Sequence, residues 1–207
     1  MIKRVIFDVD YTLLKPNYNN ESEFFKKYIP EDNEYFIYHM DEILKQYEMD
    51  FESYNKDYFL KYINQFSNVP LNEEFLENWF NFSSHLEEQD TSEAQEILEY
   101  LLPKYEIVVL TNWFREVQIK KLLQVDLLKY MKEIYTGDQY LKPYPESYLM
   151  AIGTHKPKEC IMIGDNLEAD VIGAIDSGLH AIHYTRGREL DHSYQKVKTL
   201  QELKQYL

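Results

Sequence analysis

A short apolar strand that ends in two carboxylates is the feature that most constrains this chain. Val5-Ile6-Phe7 leads directly into Asp8, and Asp10 and Thr12 follow at intervals of two residues. Burial of an unpaired carboxylate is costly, so a chain that places acids at the end of a buried strand has a use for them there. A divalent cation together with a phosphoryl group would account for the pattern. We therefore expect a catalytic site at the carboxyl end of this strand.

Strand and helix patterns alternate in the two outer parts of the chain, residues 1–14 and 91–207. Short β-branched runs predict strands at Lys3–Asp8, Glu106–Thr111, Glu133–Thr136, Cys160–Gly164 and His180–Tyr184. Amphipathic stretches predict helices at Ser92–Leu102, Phe114–Leu123, Glu146–Gly153 and Leu167–Ser177. This alternation predicts an α/β fold in which helices cover both faces of a parallel sheet. In such sheets the functional site lies at the carboxyl ends of the strands.

Residues 15–90 have a different composition and show no strand pattern. Helical patterns run through Glu21–Tyr28, Asn33–Tyr47, Phe51–Phe66 and Asn72–Phe82. The stretch holds 18 of the 32 aromatic residues, and its 17 acidic and 6 basic residues carry −11 of the net charge of −14. These features predict a small helical bundle inserted after the first strand, with most of the aromatic rings in its core.

Composition and charge exclude several classes of protein. At 207 residues and 44% apolar content, the chain is long enough to bury a sizeable core. The negative net charge disfavours binding to nucleic acid or to an anionic membrane. No signal-peptide pattern and no apolar stretch of membrane-spanning length is visible, and the single cysteine, Cys160, excludes an internal disulfide. We therefore expect a cytoplasmic protein that binds neither nucleic acid nor a membrane. The sequence leaves open whether it is a monomer or a homodimer.

Four of the predicted strands carry polar residues of unusual type at their ends or just beyond them. These are Asp8, Asp10 and Thr12 at the first strand, Thr111-Asn112 at the second, Lys142-Pro143 beyond the third, and Gly164-Asp165 with Asp170 at the fourth. Each group alone has an ordinary structural explanation: a helix N-cap, a solvated loop, or an acid near a helix N-terminus. All four in this order, each beyond an apolar strand, indicate a single site.

With these motifs the chain resembles the haloacid dehalogenase superfamily, in the branch whose helical cap is inserted after the first strand. The resemblance rests on Asp-x-Asp-x-Thr at Asp8 and on Gly-Asp-x-x-x-x-Asp at Gly164, and it covers essentially the whole chain. It implies a Rossmann-like catalytic core made of residues 1–14 and 91–207 and a cap made of residues 15–90. It also implies a Mg²⁺-dependent phosphatase that hydrolyses a small phosphate monoester through an aspartyl phosphate.

The resemblance also implies roles for the acids. Asp8 is the nucleophile, and Asp10 is the general acid and then the general base. Mg²⁺ is held by a side-chain oxygen of Asp8, the backbone carbonyl of Asp10 and the carboxylate of Asp165, a set of oxygen ligands that Mg²⁺ prefers.

The remaining motif residues correspond to groups that bind phosphate. Thr111 and Lys142 match the residues that hold the transferring phosphoryl oxygens, and Asn112 is assigned to the same set. Asp170 is expected to orient Lys142 or a metal-bound water. Tyr11 stands where the family usually has glycine, and its ring could contact the leaving group or serve packing.

Other activities remain open at this stage. Dehalogenases of the superfamily typically lack an acid at the position of Asp10, and phosphomutases typically use a cap arginine, which residues 15–90 do not contain. A non-catalytic interaction module on the same fold is a third alternative, but no catalytic acid has been lost. The six histidines show no metal-ligand spacing. The sequence does not indicate which phosphate ester is the substrate.

Overall fold

The computed structural model describes residues 1–207 apart from the side chain of residue 19. In the described residues, six parallel strands form one sheet in the spatial order β3-β2-β1-β4-β5-β6. The strands are β1 (Arg4–Phe7), β2 (Glu106–Thr111), β3 (Glu133–Thr136), β4 (Cys160–Gly164), β5 (His180–Tyr184) and β6 (Lys196–Val197). Phe7, at the end of β1, pairs with Val109 of β2 and Ile163 of β4. The residues that follow these three strands therefore meet at one edge of the sheet.

The helices lie between these strands and in the long segment after β1. They are α1 (Glu21–Phe25), α2 (Glu34–Tyr38), α3 (Met40–Asp50), α4 (Lys56–Ile63), α5 (Glu73–Ser84), α6 (Ser92–Leu101), α7 (Arg115–Gln124), α8 (Pro145–Ile152) and α9 (Gly173–Asp176). A π-helical segment, Leu167–Ile172, directly precedes α9. No helix in the described residues is long and apolar enough to cross a membrane.

Alternating side chains of the strands supply two apolar layers. Val5 and Phe7 of β1 pack in one layer with Leu98 of α6, whereas Ile6 packs in the other with Tyr148 of α8. This two-residue alternation is expected for a strand whose two faces are both buried. The prediction of an α/β fold with both faces of the sheet covered is confirmed.

Most predicted elements have their expected positions. The five predicted strands are present with ends within one residue, but β6, with two residues, gave no detectable pattern. The predicted helix Asn33–Tyr47 is divided at His39 into α2 and α3. The predicted helix Leu167–Ser177 begins instead as the π-helical segment. Asp170 lies in this wider segment, and π-helical turns are frequent at functional sites.

Aromatic side chains form the core of the helical region, which we define as residues 15–90. Phe25, Phe36, Phe59 and Trp79 are fully buried there, as the composition predicted. Edge-to-face contacts such as Phe25 with Trp79, whose ring centroids lie 5.1 Å apart, are a favourable geometry for aromatic pairs.

The helical region packs directly on the sheet-bearing part of the chain. Trp113 and Phe114, which follow β2, belong to the same apolar cluster as Phe59 and Trp79. The Tyr54 amide also donates a hydrogen bond of 2.7 Å to the Gly137 carbonyl. These contacts place the helices against the edge of the sheet that carries the polar motifs.

Candidate active site

Three buried charged side chains form a chain of ion pairs at the end of β1. Lys142 Nζ lies 2.7 Å from Asp8 Oδ1 and 2.6 Å from Asp170 Oδ1. The three residues are 3%, 7% and 0% exposed, respectively. Lysine and aspartate are rarely buried this completely unless they are paired. Lys142 is therefore a bridging cation between two carboxylates, and the solvated-loop explanation for it is wrong.

The pKa values of this group reflect burial and mutual attraction. Burial alone would lower the pKa of Lys142, but the nearby carboxylates of Asp170 and Asp8 outweigh it and raise that pKa. Burial raises the pKa of Asp8 to about 7, and Lys142 acts in the opposite direction. The Lys142 ammonium therefore favours the ionised form of Asp8 in surroundings that otherwise disfavour it.

Asp170 is held from the side of β4. Its Oδ2 accepts a hydrogen bond of 2.9 Å from the Asn166 backbone amide, while its Oδ1 contacts Lys142. A Cβ added at Gly164 would lie 2.2 Å from Asp170 Oδ2, so only glycine fits there. The first and last residues of the Gly-Asp-x-x-x-x-Asp motif, Gly164 and Asp170, therefore lie against each other. This packing helps to hold the Asp170 carboxylate beside Lys142.

Asp165 completes a group of carboxylates that could hold a metal ion. One oxygen each from Asp8, Asp165 and Asp170 lies within 4.8 Å of the others. Asp170 has no exposed surface, whereas Asp8 is 7% exposed and Asp165 is half-buried, so Asp8 and Asp165 are the more accessible pair. Burial, together with Asp170, raises the pKa of Asp165 to about 6, and Arg186, at 3.3 Å, opposes this. Hard oxygen ligands with this excess of negative charge fit Mg²⁺.

His183 contacts the backbone of Asp165 and is itself contacted by His192. These two histidines show no metal-ligand spacing in the sequence. The His183 ring contacts the Asp165 carbonyl through Nε2 at 2.9 Å and His192 Nε2 through Nδ1 at 2.9 Å. His183 is 2% exposed, and burial lowers its pKa. A neutral ring that donates from Nε2 fits this arrangement, so His183 orients the Asp165 loop.

Thr111 is the last residue of β2, and Asn112 follows it at the same edge of the sheet as Asp8. The Thr111 hydroxyl is buried and contacts the Asn112 carbonyl at 3.1 Å. The Asn112 side chain accepts from the Lys142 amide at 2.8 Å and donates to the Lys142 carbonyl at 3.0 Å. Asn112 therefore fixes the backbone of Lys142, and its assignment to phosphate binding stays a prediction. It is also not a helix N-cap, because α7 begins at Arg115.

The Asp10 carboxylate is partly exposed and is surrounded by hydrogen-bond donors. Lys121 Nζ, Gln118 Nε2 and the Tyr18 hydroxyl contact it at 2.9, 3.0 and 2.7 Å. The sequence patterns identified none of these three partners. Lys121 and Gln118 lie on α7, where a buried polar side chain leaves no periodic signal.

Tyr11, between Asp10 and Thr12, has a left-handed backbone with φ of 63°. This conformation explains why glycine, which adopts positive φ at no cost, is usual at the position in the family. The Arg186 guanidinium lies 4.5 Å from the centre of the Tyr11 ring. Tyr11 therefore packs against Arg186. Arg186 lies just beyond β5, so a search for polar residues beyond the strand ends could have identified it from the sequence.

The cleft above these residues has a volume of about 530 Å³ and is bounded on one side by the helical region. Its lining includes the four motif acids, Asp8, Asp10, Asp165 and Asp170, together with Thr111, Asn112 and Lys142. Tyr18, Leu44, Glu48 and Tyr54 line it from the helical region. The structure thus brings together every site residue predicted from the sequence.

A parallel sheet covered by helices, with buried carboxylates at the ends of its central strands, is a Rossmann-like α/β fold. A family model described as haloacid dehalogenase-like hydrolase matches residues 2–178. The chain belongs to this family of hydrolases.

Curated relatives match parts or most of the chain. Ribulose-1,5-bisphosphate 5-phosphatase of Halopiger xanaduensis is 29% identical over 116 residues, which are 53% of this chain and 48% of that protein. The chain thus spans about half the length of the first relatives it matches. Glyceraldehyde 3-phosphate phosphatase of Pyrococcus furiosus is 24% identical over 208 residues, with 94% of this chain and 86% of that protein covered.

Solved structures share the fold at low identity. The HAD-hydrolase YfnB of Bacillus subtilis, bound to magnesium, superposes with a TM-score of 0.70 at 18% identity, covering 99% of this chain and 98% of that one. An L-2-haloacid dehalogenase of Xanthobacter autotrophicus gives a TM-score of 0.73 at 17% identity with the same coverage. At these identities the likeness concerns the fold, which phosphatases and dehalogenases of the family share.

Proposed function

We propose that this chain is a Mg²⁺-dependent phosphatase that hydrolyses a small phosphate monoester through an aspartyl phosphate on Asp8. The observation that carries the proposal is the buried ion-pair chain Asp8–Lys142–Asp170 beside Asp165, with Asp10 lining the same cleft. The phosphatase names of its curated relatives support the same activity. The catalytic core is residues 1–14 and 91–207, and the cap is the helical region.

Asp8 is the nucleophile in this proposal. Its Oδ1 is held by Lys142 and its Oδ2 accepts from the Thr12 hydroxyl at 3.3 Å, so the carboxylate has a fixed orientation. A fixed carboxylate attacks phosphorus without the entropic cost of positioning a free nucleophile. The first step forms an acyl phosphate on Asp8 and releases the alcohol, and water then cleaves that phosphate.

A magnesium ion would be held by the Asp8 and Asp165 carboxylates and by the backbone carbonyl of Asp10. When bound, the ion supplies positive charge that reduces the repulsion between Asp8 and the anionic ester. Arg186 now contacts Asp165, and its guanidinium would share that carboxylate with the ion. His183 keeps the Asp165 loop in place.

Lys142 and Thr111 bind the phosphoryl oxygens. The Lys142 ammonium supplies charge in a site where little water competes, which makes the attraction stronger than it would be in solvent. Thr111 offers its hydroxyl and backbone at the same edge. Asp170 keeps Lys142 aimed at Asp8, since it contacts the same ammonium from the opposite side.

Asp10 transfers the protons. It protonates the leaving alcohol in the first step and accepts a proton from the attacking water in the second. A dehalogenase releases halide, which needs no proton, so the presence of Asp10 favours phosphatase over dehalogenase. The absence of arginine from residues 15–90 favours phosphatase over mutase.

A panel of phosphate esters, assayed with Mg²⁺ and with EDTA, tests this function. We expect hydrolysis of at least one small monoester with Mg²⁺ and its loss in EDTA. Asp8→Asn should lower kcat by at least about 10³-fold, because an amide cannot attack phosphorus. Asp176→Asn, which changes an exposed acid at the end of α9, is the matched control and should leave kcat unchanged. Full activity in EDTA, or in Asp8→Asn, would contradict the proposal.

A further inference from the structure

A fully buried lysine on α7 contacts both carboxylate oxygens of Asp10. Lys121 Nζ lies 2.9 Å from Asp10 Oδ1 and 3.0 Å from Oδ2. The Lys121 side chain has no exposed surface, whereas that of Asp10 is 15% exposed. None of the four motifs includes Lys121. A lysine is rarely buried this deeply unless a carboxylate compensates its charge, so the burial of Lys121 depends on Asp10.

One turn earlier on the same face of α7, Gln118 contacts Asp10 as well. Its Nε2 donates to Asp10 Oδ2 at 3.0 Å and to Thr111 Oγ1 at 2.8 Å. Residues three apart on a helix lie side by side, so Gln118 and Lys121 present two donors to one carboxylate. One face of α7 therefore links the proposed proton-transfer group to a proposed phosphate-binding hydroxyl.

A third donor comes from the helical region. The Tyr18 hydroxyl donates to Asp10 Oδ2 at 2.7 Å and accepts from Lys121 Nζ at 3.1 Å. Tyr18 lies only a few residues after Leu14, where the chain leaves the sheet edge for the helical region. Asp10 is thus held at once by α7 and by the first residues of the helical region.

We infer that Lys121, Gln118 and Tyr18 are positioning residues that fix the Asp10 carboxylate for proton transfer, and that Tyr18 makes its orientation depend on the position of the helical region. This inference rests on the proposed function. Proton transfer requires the acid within hydrogen-bonding reach of the leaving oxygen, so a carboxylate with free rotation would transfer protons less often. Donors on α7 and on the helical region restrict that rotation from two sides.

Esters with good and poor leaving groups provide the test, because p-nitrophenolate needs little protonation and an alkoxide needs it fully. Lys121→Met should lower kcat on an alkyl phosphate by about 100-fold and on p-nitrophenyl phosphate by less than about threefold. Tyr18→Phe removes only a hydroxyl and should show the same selectivity at about tenfold. Lys120→Met, which changes an exposed neighbour on α7, is the control and should leave both rates unchanged.

Equal losses on both esters, or no loss on either, would overturn the inference while the wild-type activity still supports the proposed function. If Lys121→Met fails to fold, Tyr18→Phe decides by the same ratio. Absence of any wild-type hydrolysis would instead refute the proposed function. Crystal structures of wild type and Tyr18→Phe then decide the inference: we expect more than one Asp10 orientation in the variant, and a single unchanged orientation would overturn it.

Discussion

The edge of the sheet and the helical region bury their side chains in opposite ways. At the edge, Lys142 and Asp170 are buried as charges, each with its oxygen or nitrogen atoms paired. In the helical region, rings such as Phe36 and Phe59 are buried against other aromatic rings. A buried charge needs one partner at one place, whereas an apolar ring needs only a space of suitable volume. The identity of each buried residue at the edge of the sheet is therefore constrained individually. The buried residues of the helical region are constrained mainly by their total volume.

The largest effect is expected at the edge. Lys142→Met should lower kcat by about 10²–10³-fold, because charge at the phosphoryl oxygens is lost. It should also destabilise the fold by about 3–5 kcal/mol, because Asp8 and Asp170 would be left buried without their counter-ion. Urea denaturation and steady-state kinetics measure the two effects. Lys158→Met, which changes an exposed lysine, should alter neither, and a fully stable Lys142→Met would contradict the contrast between the regions.

In the helical region the expected effect is on stability alone. Phe36 is fully buried and does not line the cleft, so Phe36→Ala should cost about 3–5 kcal/mol through the cavity that it leaves. The kcat of the folded fraction should stay within about twofold of wild type. Tyr38→Ala removes an exposed ring of the same helix and should cost less than about 0.5 kcal/mol. A large loss of kcat in folded Phe36→Ala would show that the two regions are less separate in function than we describe.

The smallest effect concerns Glu21, a carboxylate within the mostly apolar helical region. Burial raises its pKa to about 7, although the hydrogen bond from Trp79 Nε1, at 3.0 Å, opposes this. The folded state then binds this proton more tightly than the unfolded state, whose value is about 4.5. Glu21 should therefore cost stability as pH rises from about 4.5 to 7.

Glu21→Gln removes this pH dependence while keeping an oxygen for Trp79. Relative to wild type, it should be more stable at pH 8 than at pH 4, by on the order of 1 kcal/mol. Urea unfolding followed by tryptophan fluorescence measures the difference. Glu23→Gln, which changes an exposed acid of the same helix, should show little such trend. A pH-independent difference for Glu21→Gln would mean that Glu21 is already solvated.

The two regions also differ in how far the sequence predicts them. The strand ends were predictable because apolar runs stop at residue types that only a site explains, as at Asp8 and Asp165. Helices α1 to α5 were predictable as helices, but the cleft-lining side chains Tyr18, Glu48 and Tyr54 look like any other aromatic or acidic residue there. Lys121 was missed for a related reason: an amphipathic helix normally exposes its lysines, and burial against Asp10 arises only in the folded chain.

The account depends most on Asp8 forming a bond to phosphorus. The configuration at phosphorus tests this directly, with a chiral ¹⁸O-labelled phosphorothioate ester hydrolysed in H₂¹⁷O. Attack by Asp8 followed by attack of water on the acyl phosphate inverts phosphorus twice, whereas direct attack of water on the ester inverts it once. Analysis of the thiophosphate product by ³¹P NMR should find net retention of configuration. Net inversion would contradict the account, because it would mean that no bond forms between Asp8 and phosphorus.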